Sequence, residues 1–246
     1  MRITLLFVLV SFSLTAFCQE DGAWKPASAK SQAYHEQRYK NTTPPYGLAK
    51  VKKLIDGIVT EGEDYNAKSE ITYQQWQALS LREKFTYCMI HGDRFTQNCD
   101  VRPPIQDEEQ KIFANLFSPW GEEFLSERQK NWLTLNKDSV LALIAESIGR
   151  TGYVGLNYKN VIVDLNGSSL IPQLITIYSK TKADKDILTV LNLLMKKNEY
   201  KPFMESSSYK KLYETNDEYM AHINYNQANE ELIIKRATEF HQSLKK

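Results

Sequence analysis

The stretch YCMIHGDRFTQNCD, residues 87–100, gathers two of the chain's three cysteines, one of its four histidines and two aspartates. Such a set could make a disulfide between Cys88 and Cys99. It could also make a metal site from Cys88, His91 and Cys99 with Asp93 or Asp100, or a cysteine nucleophile with His91 as its base. The spacing C-x2-H-x7-C lacks the paired short intervals of structural zinc sites, which argues against a metal. A nucleophilic cysteine needs a helix N-terminus or a cationic pocket to favour its thiolate. Cys88 is expected near a helix C-terminus, where the dipole disfavours an anion. The expectation is therefore a disulfide, with an inert reduced pair, Cys88 in the core, as the second reading. The loop after Gly92 turns back far enough to bring the Cα atoms within the roughly 6 Å a bridge requires. Closing so short a loop stabilises by about 2 to 3 kcal/mol.

Other chemistry-bearing groups are sparser. GRTGYVG, residues 149–155, spaces its glycines unlike any phosphate-binding loop and reads as a helix end followed by a turn. The acidic groups TEGEDY (60–65) and QDEEQ (106–110) read as solvated loops and helix starts. No H-E-x-x-H, G-x-S-x-G or calcium-loop pattern occurs. No catalytic, cofactor or metal-ligating residue is assigned. Trp120 in FSPWGEEF and the tyrosines of NEYKPFMESSSYKKLYE (198–214) could build a sugar- or peptide-binding platform, although such residues more often anchor helix packing, and His91, Asp93 and Trp120 are the residues singled out for a functional role.

The elements that must position these residues are helical. Ser80 with Glu83 forms a capping-box pattern ahead of Leu81, Phe85, Cys88 and Met89, and Ser126 with Gln129 repeats it ahead of Trp132 and Leu133. Asp107 with Gln110 suggests another start, feeding Ile112, Phe113 and Leu116. Apolar residues recur at i, i+3, i+4 and i+7 in Leu141–Ile148, Ile171–Tyr178 and Ile187–Leu194, the last apolar nearly all round and so expected at the centre. Ile233, Ala237, Phe240 and Leu244 mark a final helix, and NVIVDL (160–165) reads as helix rather than strand. The fold class is all-α: an irregular multi-helix bundle, or a short stack of antiparallel helix pairs with HEAT-like layering, although no internal repeat period is found.

At the N-terminus, Arg2, an apolar run from Ile3 to Phe17, and Ala16 and Cys18 before Gln19 have the build of a secretory signal peptide over residues 1–18. Lipidation of Cys18 is the competing reading, disfavoured by Phe17 in the place of a small residue. Residues 19–45, which lack apolar periodicity and close on Pro44-Pro45, are expected as a flexible leader, and 46–246 as one α-helical domain. Removing residues 1–18 takes away Arg2 and no acid, which leaves basic and acidic residues equal in number. A chain without net charge lacks the basic field that nucleic acid requires, and no second run is long enough to span a membrane. The expectation is an exported protein, periplasmic or extracellular, without cofactor, that binds a protein or a small molecule. The alternatives are a hydrolase with a carboxylate or histidine site assembled only by the fold, and a structural envelope protein.

Overall fold

The computed structural model of the chain describes residues 26–62, 67–95, 102–214 and 220–244. The signal-peptide segment, Cys18, Cys99 and Asp100 lie outside the described residues.

Six of the twelve helices among the described residues begin where a side chain satisfies a free N–H group. Ser28 caps α1 (Ala29–Arg38), and α2 (Leu48–Asp56) follows Gly47. Full capping boxes open three more: Thr72/Gln75 for α3 (Tyr73–Gln77), Ser80/Glu83 for α4 (Leu81–Ile90) and Ser126/Gln129 for α5 (Glu127–Leu135). α6 (Lys137–Thr151) ends on Gly152, whose φ of +67° is the left-handed conformation that glycine adopts without strain. Next come α7 (Leu156–Asp164), α8 (Ile171–Thr181) with Pro172 in its first turn, and α9 (Asp186–Lys197). Two short helices, α10 (Lys201–Met204) and α11 (Ser207–Tyr213), precede the long α12 (Gln227–Ser243).

Nine of the twelve residues of α9 are buried, and α7, α8, α10 and α12 all pack on it. The helices thus converge on one hub, an irregular all-α bundle. Each fully buried Leu, Ile or Val of that hub contributes roughly 1.5 to 3 kcal/mol. NVIVDL lies in α7, and the apolar stripes of α6, α8 and α9 face the core. Leu81 and Leu244, placed on buried faces by their spacing, are instead 39% and 52% exposed.

Two antiparallel ribbons complete the fold: β1 (Arg94–Phe95) with β3 (Glu123–Phe124), and β2 (Lys111–Phe113) with β4 (His222–Asn224). β2 replaces the helix expected from Asp107 and Gln110. Asp107 takes a left-handed φ of +53°, only one 3-10 turn follows, and Ile112 pairs with Ile223 across the ribbon. Long-range pairing overrides the local start signal here.

The described part of the expected leader, residues 26–45, is ordered structure packed into the body. Ser31, Tyr34, His35 and Arg38 of α1 are buried, and the chain beyond it is stitched to α7. Thr42 Oγ1 accepts the Gly155 N–H, while Asn157 receives the Thr42 N–H on Oδ1 and donates to the Thr42 carbonyl. Gly155 is required by this approach, because a Cβ there would stand 2.1 Å from the Thr42 nitrogen.

Candidate functional site

Tyr87, His91 and Asp93 join Ser126, Arg128 and Gln129 in a closed polar knot at the end of α4. Asp93 is wholly buried and accepts three hydrogen bonds, from Tyr87 Oη at 2.5 Å, Ser126 Oγ at 2.6 Å and Arg128 Nη2 at 2.9 Å. Its own N–H donates to Gln129 Oε1, and Gln129 Nε2 donates to the His91 carbonyl. Burial, and then the Asp93 charge, push the Tyr87 phenol far above its ordinary range. Gly92 has no room for a side chain, since a Cβ would lie 2.8 Å from the backbone of Phe124.

His91, 4% exposed, faces the Ser69 carbonyl with Nε2 and Glu123 with Nδ1. Both ring nitrogens therefore meet acceptors, the arrangement that suits an imidazolium. Burial pulls its pKa down, but the bonds to Glu123 and Ser69 outweigh that and carry it above the ordinary value. Although Ser126, His91 and Asp93 share one neighbourhood, neither ring nitrogen is bonded to the Ser126 hydroxyl. Ser126 Oγ caps α5 and donates to Asp93, so the wiring of a nucleophile with its base is missing.

Cys88 is a free thiol in the core, with no exposure. The expected bridge to Cys99 is not formed, and Cys99 lies outside the described residues. The side chain sits on the inner face of α4 with Phe85 and Met89. Burial first, and the nearby Asp93 charge second, push the thiol well above its usual range, the reverse of an activated nucleophile. Among the described residues no group of three or more His, Cys, Asp or Glu side chains is placed to hold a metal ion.

A second cluster is invisible to motif reading because its members come from distant segments. Arg38 of α1, 2% exposed, donates through Nε to both oxygens of Asp186 at 3.1 Å and through Nη1 to Glu108 at 2.7 Å. Its guanidinium lies between the rings of Phe113 and Phe117, 4.1 and 4.0 Å from their centroids. His35 Nδ1 meets the same Glu108 at 2.8 Å, and Lys159 meets Asp184 at 2.7 Å and Asp186 at 3.9 Å. Buried charges at this density are either catalytic or structural. The space beside Arg38 and Glu108 admits no water-sized guest. The cluster is a latch that holds α1 to the 3-10 turn and to α9.

A wider cleft lies elsewhere, between α5, α7 and the chain leading into β3, with a volume of about 620 Å³. Phe117, Trp120, Phe124 and Leu133 form its apolar walls, with Lys130 and Asp164 among the polar lining. Trp120 is presented by a tight turn in which its carbonyl accepts the Glu123 N–H at 3.0 Å and Gly121 takes a φ of +62°. Asn160 of α7 fixes the opposite side by donating to the Phe117 carbonyl. The Trp120 Nε1–H is shielded from water and has no acceptor, and burial raises the Asp164 pKa, with Lys197 and Lys130 offsetting part of the effect. Of the residues singled out from sequence, Trp120 alone belongs to this cleft, and His91 and Asp93 belong to the knot behind β1 and β3. Phe124, Leu133 and Asp164 carried no signal, being ordinary apolar and acidic residues until three elements bring them together.

Comparison with known families, curated proteins and solved structures gives no match to this chain. Its function must be argued from the clefts themselves.

Proposed function

We propose that this protein binds a small, largely apolar ligand in the Trp120 cleft and performs no chemistry on it. The observation that carries the reading is the cleft itself. Its volume of about 620 Å³ falls in the range of small-molecule sites, and its lining is mainly apolar with few polar groups. Supporting a binder over an enzyme, the two dense clusters of titratable side chains, the knot and the latch, are closed, and the charged lining of the cleft is Lys130 and Asp164. Export of the chain belongs to the same proposal and rests on the pattern of residues 1–18.

The test is a fluorescence titration with Nile red, an uncharged apolar dye, on the full chain and two variants. Thr134→Trp places a bulky ring at the exposed rim of the cleft, and Trp120→Ala removes a wall. Saturable binding at one site, weakened tenfold or more in both variants, is expected, with Thr134→Trp unfolding at the wild-type temperature. Unchanged affinity in both variants refutes the assignment.

A further inference from the structure

A second recess, independent of the Trp120 cleft, opens where α1 passes the loop between α8 and α9, with a volume of about 420 Å³. Lys30, Tyr34 and Gln37 of α1 line one side, and Lys185 and Tyr225 the other. The Lys185 ammonium stands 5.1 Å from the Tyr34 ring centroid and 4.6 Å from that of Tyr225. Among the described residues it forms no ion pair. Every nearby carboxylate is committed to another group: Asp184 to Lys159 at 2.7 Å, Glu230 to Lys182 at 2.8 Å, and Glu109 to Ser31 at 2.8 Å and Lys30 at 3.5 Å. Tyr34 Oη is itself engaged by the Lys185 N–H at 3.2 Å, and Tyr225 Oη donates to Glu230 at 2.9 Å.

Lys185 is thus a half-buried amine between two aromatic walls, with a second lysine in the same recess. Burial first and Lys30 second pull its pKa down, and the more distant charges of Glu109, Asp184 and Glu230 restore only part of it. Desolvation beside another cation is the environment that turns a lysine from a surface ammonium into a nucleophile. Lys30 pairs with Glu109 at 3.5 Å, but its side chain is 75% exposed and can turn from that contact to meet an anion from solvent. With two lysines lining it against the single carboxylate Glu109, the recess favours a negatively charged guest.

We propose that Lys185 captures small anionic carbonyl compounds of the α-oxo acid class as an imine, with Lys30 attracting the carboxylate. The Lys185 Nζ lone pair forms a bond to the carbonyl carbon while the C=O π pair moves to oxygen. A proton passes from nitrogen to that oxygen to give a carbinolamine. Loss of the hydroxyl with a second nitrogen proton, as water, leaves C=N. Amine plus carbonyl thus become imine plus water, and no electron is exchanged with any other group.

The experiment exposes the full chain near pH 7 to glyoxylate with cyanoborohydride, which reduces any imine to a stable secondary amine, and locates the product by peptide mass spectrometry. Lys185 is expected to be modified several-fold faster than an open surface lysine such as Lys201, whose side chain is 81% exposed. Lys185→Arg is expected to abolish that fast phase. Lys30→Ala is expected to slow glyoxylate capture at Lys185 several-fold more than capture of uncharged propanal. Modification spread over the lysines in proportion to their exposure would overturn the proposal. Equal loss of glyoxylate and propanal capture in Lys30→Ala would overturn the role given to Lys30.

Discussion

Arg38→Met tests whether the buried charges hold α1 in place. The substitution keeps an unbranched, apolar-compatible stem between the Phe113 and Phe117 rings but removes the hydrogen bonds to Asp186 and Glu108. Both acids are almost fully buried, at 1% exposure each, so neither recovers its loss from water. Removing one partner of a buried ion pair costs about 3 to 5 kcal/mol, because the remaining charge is left without compensation. His35 still serves Glu108 and Lys159 stands 3.9 Å from Asp186, which places the expected loss toward the lower end of that range. For a domain of this size each kcal/mol shifts Tm by about 2 to 4 °C, so a fall of roughly 6 to 12 °C is expected in calorimetry. A companion variant, Arg38→Met with Glu108→Gln and Asp186→Asn, removes the stranded charges and should regain at least half of the loss. Acid should have a related effect. Burial pushes the Glu108 carboxyl up, but the hydrogen bonds and charges of His35 and Arg38 outweigh it and hold it below the usual range. A depressed carboxylate stabilises fully above its unfolded value of roughly 4.3, and that contribution disappears as the pH falls through the lower folded value. Wild type should therefore lose stability below about pH 4 more steeply than the triple variant. An Arg38→Met protein within about 1 kcal/mol of wild type in urea unfolding would refute the latch.

Three further outcomes are expected. His91→Gln should destabilise most at low pH, because a histidine whose folded pKa is raised stabilises fully below its unfolded value of roughly 6.5 and loses that contribution as pH rises through the folded value. Melting temperatures of the two proteins from pH 5.5 to 8.5 should converge toward the alkaline end, and a constant gap contradicts the ion pair with Glu123. Gly155→Ala drives a Cβ into the Thr42 backbone and should cost about 1 to 3 kcal/mol, with hydrogen exchange rising in residues 40–42 before it rises in α9. The Cys88 peptide should stay unlabelled by iodoacetamide in native protein and label fully in denaturant, since its thiol is buried and its pKa is raised by that burial.

The elements legible in the sequence were those whose cause is local. The Ser80/Glu83 and Ser126/Gln129 boxes span four residues each, and the apolar stripes of α6, α8 and α9 repeat every turn. α1 escaped because its buried face is Ser31, Tyr34, His35 and Arg38, which reads as solvated surface. What makes that face buriable is a set of partners far away in the chain: Glu108 lies 70 residues from Arg38, and Asp186 lies 148. β2 was misread for a similar reason, as its partner β4 lies about a hundred residues downstream and no pattern near Asp107 announces it. Trp120 could be singled out by residue type alone, whereas Lys185 sits in a polar loop, TKADKD, like any other lysine. Its environment comes from Tyr34 and Tyr225, on two other segments.

The latch and the Lys185 recess share one mechanical origin. Arg38 grips Asp186, the residue next to Lys185, while Tyr34 and Lys30, one and two turns earlier on the same helix, wall the recess. An ordinary amphipathic contact would tolerate small rotations of α1, because apolar packing is non-directional. A guanidinium with hydrogen bonds to two carboxylates and a ring on each face is far more restrictive in angle. The buried charges therefore do for the recess what an apolar stripe could not: they set the rotation of α1, and with it the position of the Tyr34 ring beside Lys185. The Trp120 cleft has different supports, the capping box of α5, the Asn160 bond to the Phe117 carbonyl and the β1–β3 ribbon. The two sites still meet at Phe117, a wall of the cleft that also stacks on Arg38, so a change at Arg38 disturbs both. Lys185→Arg leaves the latch intact and should abolish the fast lysine capture while dye binding in the cleft survives, and it is this separation that makes the two proposals distinguishable in one protein.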